Sequence, residues 1–118
     1  VYANGTTARF AELTDMYHWP GSAYGHPSDV VAPLVSVAEV AHASGRDLIS
    51  AVVLGYEIFC RFSDVFHNRG FDPSNFACIA IAMASGKLLG LSRSELSHCV
   101  ALAVTPNERF QKASLAMA

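Results

Sequence analysis

Apolar residues recur at three- and four-residue steps along most of this chain, which is the period of a helix buried on one side. The clearest stripe predicts a helix through Ala43; it comprises Val30, Leu34, Val37, Ala38 and Ala41. The next helix, Asp47 to about Phe66, is apolar almost all round, as expected at the centre of a larger bundle. No segment alternates like a half-buried strand, so the pattern predicts an all-α helical bundle.

Start and stop signals divide this pattern into helices. Ser44 to Asp47 and Ser92 to Glu95 each place an acidic residue three positions after a serine, the spacing of a capping box. Ser28 or Asp29 offers an N-cap for the helix through Ala43, in which Pro33 is tolerable only near the first turn. A further helix starts between Asp72 and Ser74 and ends at Gly90. The last helix reaches about Val104, and Pro106 stops it.

The first helix is predicted from Val1 to about Met16. Glu12 and Asp15 lie three residues apart, so a helix extending that far would place both carboxylates on one face. Two close carboxylates disfavour double ionisation, which would suit a catalytic acid or base. Carboxylates at this spacing are also common on inert surfaces.

Between Tyr17 and Pro27, two prolines and two glycines prevent regular structure. The surrounding stretch, residues 12–29, gathers acidic, histidine and aromatic side chains. These are Glu12, Asp15, Tyr17, His18, Trp19, Tyr24 and His26. Titratable groups on an irregular connector between packed helices predict a candidate active site. The helix that follows would present backbone donors, so a substrate carboxylate is expected beside His26 and Ser28.

Composition narrows the class of protein. The 118 residues are 52% hydrophobic and 15% charged, with a net charge of -2. Nucleic-acid binding is not expected because no basic patch is present, and no apolar run approaches the roughly 20 residues of a membrane span. Cys60, Cys78 and Cys99 are widely spaced and are predicted to be reduced, buried thiols in a cytoplasmic protein.

The ends of the sequence suggest a piece of a larger protein. The chain opens at Val1 inside a predicted helix and closes at Ala118 without a capping residue. We therefore expect one partial helical domain over residues 1–118.

Several motifs in order resemble the large helical domain of the MmgE/PrpD family, which includes 2-methylcitrate dehydratase and cis-aconitate decarboxylase. The matching pieces are Asn4-Gly5-Thr6, Glu12-Leu13-Thr14-Asp15, Gly25-His26-Pro27-Ser28-Asp29, Ser44-Gly45-Arg46-Asp47-Leu48, Gly55-Tyr56-Glu57 with Arg61, Gly70-Phe71-Asp72, and Gly86-Lys87-Leu88-Leu89-Gly90-Leu91-Ser92. Each motif is weak alone, whereas the ordered series covers nearly the whole chain.

The resemblance implies a two-domain enzyme, usually a homodimer, with a second α/β domain and no metal or iron-sulfur cofactor. It places an acidic residue at Glu12 and a histidine at His26 in the active site. Two positions depart from the family pattern. Met16 stands where many members carry Thr, and Asp72 stands where the decarboxylase branch carries His, which favours dehydration over decarboxylation.

The expected substrate is therefore a small polycarboxylate resembling 2-methylcitrate, which the intact enzyme would dehydrate. A decarboxylase or isomerase of the cis-aconitate type is the alternative within the family. Histidine suits general acid or base work because its ordinary pKa, about 6.5, lies near working pH. We expect His26 to be that group, with Glu12 or Asp15 as its counterpart, and Tyr17, Ser28 and Asp72 as substrate-binding residues.

No Lys or Arg lies between Arg9 and Arg46, so cations for an anionic substrate are expected from elsewhere in the protein. The 118 residues alone are therefore expected neither to bind substrate tightly nor to turn it over. Tyr17, Trp19 and Tyr24 line a pocket or simply close the core. His18, His26 and the two acids also form a weak metal-site candidate without a recognised ligand spacing.

An alternative from a different class is a non-catalytic helical oligomerisation module. In that case the apolar helix 47–66 would face a partner chain. Glu57 and Arg61, four residues apart on this helix, are expected to form a structural ion pair.

Overall fold

The computed structural model describes residues 2–10, 14–18, 20, 24–66 and 72–105. These residues form five α-helices and no strand. The helices are α1 (Tyr2–Phe10), α2 (Val31–Val40), α3 (Gly45–Val65), α4 (Ser74–Leu88) and α5 (Arg93–Val104), and a 3-10 turn, Pro27–Val30, precedes α2. The predicted all-α class is confirmed.

Both predicted capping boxes are present. At α3, the Ser44 hydroxyl accepts from the backbone N–H of Asp47, and the Asp47 carboxylate accepts from the backbone N–H of Ser44. Ser92 and Glu95 make the same reciprocal pair at α5. The serine hydrogen bonds lower the pKa of both carboxyl groups. Two serine and carboxylate pairs thus fix where α3 and α5 begin.

The predicted N-cap of α2 is wrong. Neither Ser28 nor Asp29 caps this helix with its side chain, and Val30 occupies the N-cap position. The backbone N–H of Ser28 instead donates to the carboxylate of Asp15, at 3.0 Å. A side chain thirteen positions earlier therefore satisfies a donor at the start of this helical segment. Pro33 lies in the first turn of α2, as expected.

The first helix is shorter than predicted. α1 ends at Phe10, and Thr14, Asp15 and Met16 are not helical. Thr14 and Asp15 instead contact the residues around His26, and no residue of α1 is buried enough to hold a longer helix in place. The argument that Glu12 and Asp15 share a helical face therefore fails at Asp15, and Glu12 itself lies outside the described residues.

The core lies where α3 packs along α4, the most extensive contact between helices. Small residues along these helices are buried and allow the backbones to approach closely, as Ala51, Gly55, Ala77, Ala80, Ala84 and Gly86 show. Phe59 is 1% exposed and meets the ring of Phe76 edge-on, with 6.2 Å between ring centroids. Val30 and Leu34 complete the core from the α2 side. The bundle thus braces the connector that precedes α2.

The all-round apolar helix is only partly covered. One face of α3 is buried at Phe59 and Ser63, whereas Ile49 and Val53 are 67% and 58% exposed. Among the helices that the structure describes, none combines the length and the apolar character that a membrane crossing requires.

Candidate active site

A short antiparallel backbone pairing ties the two ends of the connector together. The N–H of Tyr17 donates to the carbonyl of Gly25 at 2.9 Å, and the N–H of Gly25 donates to the carbonyl of Tyr17 at 3.1 Å. This bridge brings Asp15 beside His26, although eleven positions separate them. The sequence predicted an irregular segment here, but it did not predict the pairing.

The imidazole of His26 is held on one side. Its Nδ1 contacts the backbone carbonyl of Asp15 and lies 3.3 Å from the hydroxyl of Thr14. Because a carbonyl oxygen only accepts, Nδ1 must carry the hydrogen of that bond. The ring is half-buried. The nitrogen left for proton transfer is therefore Nε2.

Asp15 supports this arrangement in a different way from the one expected. We predicted that its carboxylate orients or complements the imidazole, whereas its backbone carbonyl makes that contact. The carboxylate accepts from the N–H of Ser28. Asp15 thus bonds on both sides of Pro27, once to His26 and once to Ser28, and its catalytic role stays a prediction.

Tyr56 on α3 forms a hydrogen bond with the carboxylate of Asp15. Burial raises the pKa of Tyr56 to about 12, and a hydrogen bond to Asp15 acts in the same direction. An ionised phenol beside that carboxylate would bring two like charges together, which disfavours its ionisation. Tyr56 therefore links the connector to the central helix. Sequence reasoning noted Tyr56 only within a family motif.

His26 lines a cavity of about 240 Å³ between the connector and the start of α4. Its described lining consists of Arg9, Tyr24, Gly25, His26, Asp29, Phe59, Asp72, Pro73 and Ser74. Two of the predicted site residues, His26 and Asp72, therefore share one concave surface. The Asp72 carboxylate accepts from the N–H of Ser74 at 2.8 Å, so it also caps the first turn of α4.

Gly25 lies in the wall of this cavity at a position that leaves no room for a side chain. A Cβ at this position would lie 2.8 Å from the ring of Phe59 and 2.8 Å from the Cβ of Pro73. Real Cβ atoms do not approach their neighbours that closely. The connector therefore rests directly on the core at the residue before His26.

Arg9 also lines this cavity, which the sequence did not reveal. It lies in the last turn of α1, and its Nη1 is 3.4 Å from the Asp29 carboxylate and 3.4 Å from the Thr14 hydroxyl. It is the only Lys or Arg among the described residues that line the His26 cavity. Its position before the acidic stretch was a possible signal, but α1 was expected to continue beyond it.

The hydroxyl group of Tyr17 contacts α3. Its hydroxyl donates to the carboxylate of Asp64 on α3 at 2.8 Å, and this bond raises the pKa of Tyr17. Tyr17 lines a separate hollow of about 740 Å³ together with Tyr56, Cys60 and Asp64. The described lining of the His26 cavity does not include it. Its predicted role in substrate binding remains untested.

Ser28 also lies outside that lining. Its hydroxyl is buried without a hydrogen-bond partner among the described residues. It lines a larger hollow of about 830 Å³ along α1 and α2, in which Arg9 and Asp29 also take part. Arg9 and Asp29 therefore stand where this hollow and the His26 cavity adjoin.

His18 is not among the described residues that line the His26 cavity. His18 lies with its ring centroid 6.4 Å from that of Tyr24, and Trp19 is outside the described residues. Within the described ranges, no group of three or more His, Cys, Asp or Glu side chains is arranged to hold a metal ion. Cys60, Cys78 and Cys99 are free and half-buried. The predicted ion pair between Arg61 and Glu57 is confirmed at 2.6 Å.

Comparison with known proteins decides the family. The family model described as the MmgE/PrpD N-terminal domain matches residues 1–116. The chain belongs to the MmgE/PrpD family. This membership confirms the resemblance drawn from the ordered motifs, and the all-α fold agrees with it.

Two relatives of this MmgE/PrpD domain carry the same name. A cis-aconitate decarboxylase of Aspergillus terreus is 29% identical over 117 residues, covering 89% of this chain and 24% of the relative. A cis-aconitate decarboxylase of Mus musculus is 27% identical over 116 residues, covering 89% and 23%. The chain thus spans about a quarter of the length of these relatives. No solved structure matches the chain with significance.

Proposed function

We propose that this chain is the catalytic helical part of a lyase that acts on a small di- or tricarboxylate by acid/base chemistry. Its membership of the MmgE/PrpD family supports this class of enzyme. Since the chain spans about a quarter of its relatives, the activity is proposed for the intact protein. Dehydration of a hydroxylated substrate resembling 2-methylcitrate is the first candidate reaction.

The observation that carries the proposal is the fixed imidazole in a cavity. Asp15 holds Nδ1 of His26, which leaves Nε2 to accept or give a proton. Asp72 also lines this cavity, which lies between the connector and the core. A titratable pair in a concave site is typical of general acid/base catalysis.

The proposed dehydration needs one base and one acid. The base removes a proton from the carbon next to a substrate carboxylate, and the electron pair forms the new double bond. The bond between the adjacent carbon and its hydroxyl group breaks, and the acid protonates the departing hydroxide to give water. We assign His26 to one of these two duties. Glu12, Asp15 or Asp72 is proposed for the other.

Decarboxylation of a substrate resembling cis-aconitate is the second candidate, because both relatives are named for that reaction. In that case the bond to one carboxylate breaks, carbon dioxide leaves, and an acid delivers a proton to the remaining carbon. His26 would supply this proton. Asp72 stands where the resemblance expects a histidine in decarboxylases, which is why dehydration is placed first.

The experiment uses the full-length protein with 2-methylcitrate, citrate and cis-aconitate as substrates. Mass spectrometry distinguishes the two reactions, because dehydration gives an unsaturated product that has lost one water and decarboxylation gives a product that has lost one carbon dioxide. His26→Gln is expected to lower kcat on the order of 10²- to 10⁴-fold, because one acid/base group is removed. The matched control is His98→Gln, at an exposed position on α5.

Two results would contradict the proposal. One is a His26→Gln variant that keeps the turnover of the His98→Gln control. The other is a full-length protein that converts none of the three acids and binds none of them in calorimetry.

The proposal extends to cofactor and assembly. We propose that the reaction runs without a metal ion, and that the intact protein is a cytoplasmic homodimer. Exposed apolar residues on α3, such as Ile49 and Val53, support contact with a further surface. Dialysis against a chelator should leave the turnover unchanged, and light scattering of the full-length protein should give twice the monomer mass.

A further inference from the structure

The proposed function does not explain how an anionic substrate binds in the His26 cavity, where acidic residues are present. The described lining includes the acidic residues Asp29 and Asp72 and a single cationic residue, Arg9. A polycarboxylate would be repelled by the two acids unless a cation meets it directly. We propose that Arg9 binds one carboxylate of the substrate and that Asp29 occupies Arg9 when no substrate is bound. This inference rests on the proposed function.

The position of Arg9 suits such a role. Arg9 belongs to the last turn of α1 and lines both the His26 cavity and the larger hollow beside it. A ligand that reaches the imidazole therefore also reaches the guanidinium group. The two contacts found for this group both use Nη1. A guanidinium offers five N–H donors in a planar fork, and that fork matches the two oxygens of a carboxylate.

The present partners of Arg9 hold it weakly. Its separations from Asp29 and Thr14 are both 3.4 Å, beyond the usual range for an N–H to oxygen hydrogen bond. The side chains of Arg9 and Asp29 are 47% and 33% exposed, so water screens their attraction. A substrate carboxylate that approaches with shorter, bidentate geometry would therefore displace Asp29.

Thr14 connects Arg9 to the imidazole. Its hydroxyl lies 3.4 Å from Nη1 of Arg9 and 3.3 Å from Nδ1 of His26. One small side chain thus stands between the cation and the proposed acid/base group. Since Nδ1 is held by Asp15, a carboxylate bound to Arg9 would have to bring its neighbouring carbon to Nε2 of the ring. The proposed reaction requires that placement, because the proton leaves or joins the carbon next to a carboxylate.

The first experiment compares Arg9→Gln with the wild type in the full-length enzyme. KM for the polycarboxylate substrate should rise on the order of tenfold or more, because a charge-assisted carboxylate contact is lost. The kcat should fall much less than in His26→Gln. Arg46→Gln is the matched control, since Arg46 is exposed at the start of α3. It lies thirteen residues before Phe59, or roughly 20 Å along the helix.

A second measurement separates ligand binding from a structural role. Inhibition by propane-1,2,3-tricarboxylate is compared with inhibition by butanoate, a monocarboxylate of similar chain length. Arg9→Gln should weaken the tricarboxylate at least fivefold more than the monocarboxylate, because the lost cation serves an additional carboxylate. Arg9→Lys should recover part of this difference, since it keeps the charge and loses the fork. Asp29→Asn should lower KM by removing the competing carboxylate.

The outcomes distinguish this inference from the proposed function. If the wild type neither converts nor binds any polycarboxylate, both fail. If His26→Gln is inactive but Arg9→Gln keeps KM within twofold of the wild type, the role of Arg9 alone is wrong. Equal weakening of both inhibitors, with no recovery in Arg9→Lys, would also show that Arg9 only maintains structure.

Discussion

The helical core and the connector before α2 are held together by different kinds of contact. In α3 and α4 the buried residues are mostly alanine, glycine and phenylalanine, and their neighbours are supplied by helix packing. In the connector, polar groups are held by individual hydrogen bonds between residues far apart in sequence. Tyr17 reaches Asp64 over 47 positions, and Asp15 reaches Ser28 over 13. The core therefore provides most of the stability, and the connector carries the proposed acid/base group.

Phe59 and Gly25 mark where these two regions meet. Phe59 is buried in the core and also lines the His26 cavity, and its ring lies against the backbone of Gly25. If the division holds, substitutions in the core should change unfolding first, and substitutions in the connector should change turnover first. Substitutions at the junction should change both.

The largest effect on stability is expected from Phe59→Ala. Removing this ring, which is 1% exposed, leaves a cavity beside Phe76 and should cost about 3 to 5 kcal/mol of unfolding free energy. Scanning calorimetry of the full-length protein measures the loss. Phe66→Ala is the control at the end of α3, where the ring is 49% exposed. Equal destabilisation by both variants would show that Phe59 does not centre the core.

Gly25→Ala should disturb both regions by a smaller amount. The new Cβ would clash with Phe59 and Pro73, and relieving an overpacked contact costs about 1 to 3 kcal/mol. Turnover should also fall, because the shift is transmitted to the neighbouring His26. Gly5→Ala in α1 is the control, since its Cβ would meet nothing within 4 Å. A Gly25→Ala enzyme with normal kcat would break the proposed connection between junction and imidazole.

Ser44→Ala should affect the core alone. It removes the N-cap of α3 and should cost about 1 kcal/mol without changing kcat. The hydrogen bonds from Ser44 lower the pKa of Asp47. The stability that comes from ionised Asp47 is therefore present above its ordinary pKa of 3.8, and it is lost as the pH falls through its pKa in the folded state. Thermal unfolding as a function of pH should therefore show a smaller acid-induced decrease in Ser44→Ala. Ser50→Ala, on the same helix, is the control, and an identical acid profile for it and Ser44→Ala would contradict the assignment.

The smallest effect at neutral pH is expected at Tyr56, because its contribution depends on ionisation of the phenol in alkaline solution. Its pKa is raised to about 12, so the folded state keeps the phenol proton when the unfolded state loses it near 10. Stability should therefore fall as the pH rises from about 10 to about 12. Tyr56→Phe should flatten that decrease, as followed by alkaline unfolding. An unchanged alkaline profile would show that the folded state does not keep the phenol of Tyr56 protonated.

The sequence predicted what depends on local pattern. The capping boxes at Ser44 and Ser92 set helix starts through residues three positions apart, and both were identified. The start of α2 was missed because its donor is satisfied by Asp15, whose distance in sequence gives no periodic signal. Helical spacing was extended too far in α1, where no buried face supports it.

Sequence reasoning predicted only part of the candidate site, because some of its residues meet through contacts between distant positions. His26 and Asp72, both predicted as site residues, line one cavity. Arg9 was missed because only the folded chain brings the last turn of α1 to the connector, and Tyr17 turns to Asp64 through a contact that no local pattern encodes. Side chains that act through distant partners are thus where sequence reasoning fails.

The pairing of Tyr17 with Gly25 also bears on how the protein tolerates change. Because these two residues bond to each other, the ends of the intervening stretch are fixed whatever its length. Insertions or deletions within positions 18–24 would leave the imidazole anchored. We therefore expect this stretch to tolerate changes of length better than the residues that flank it.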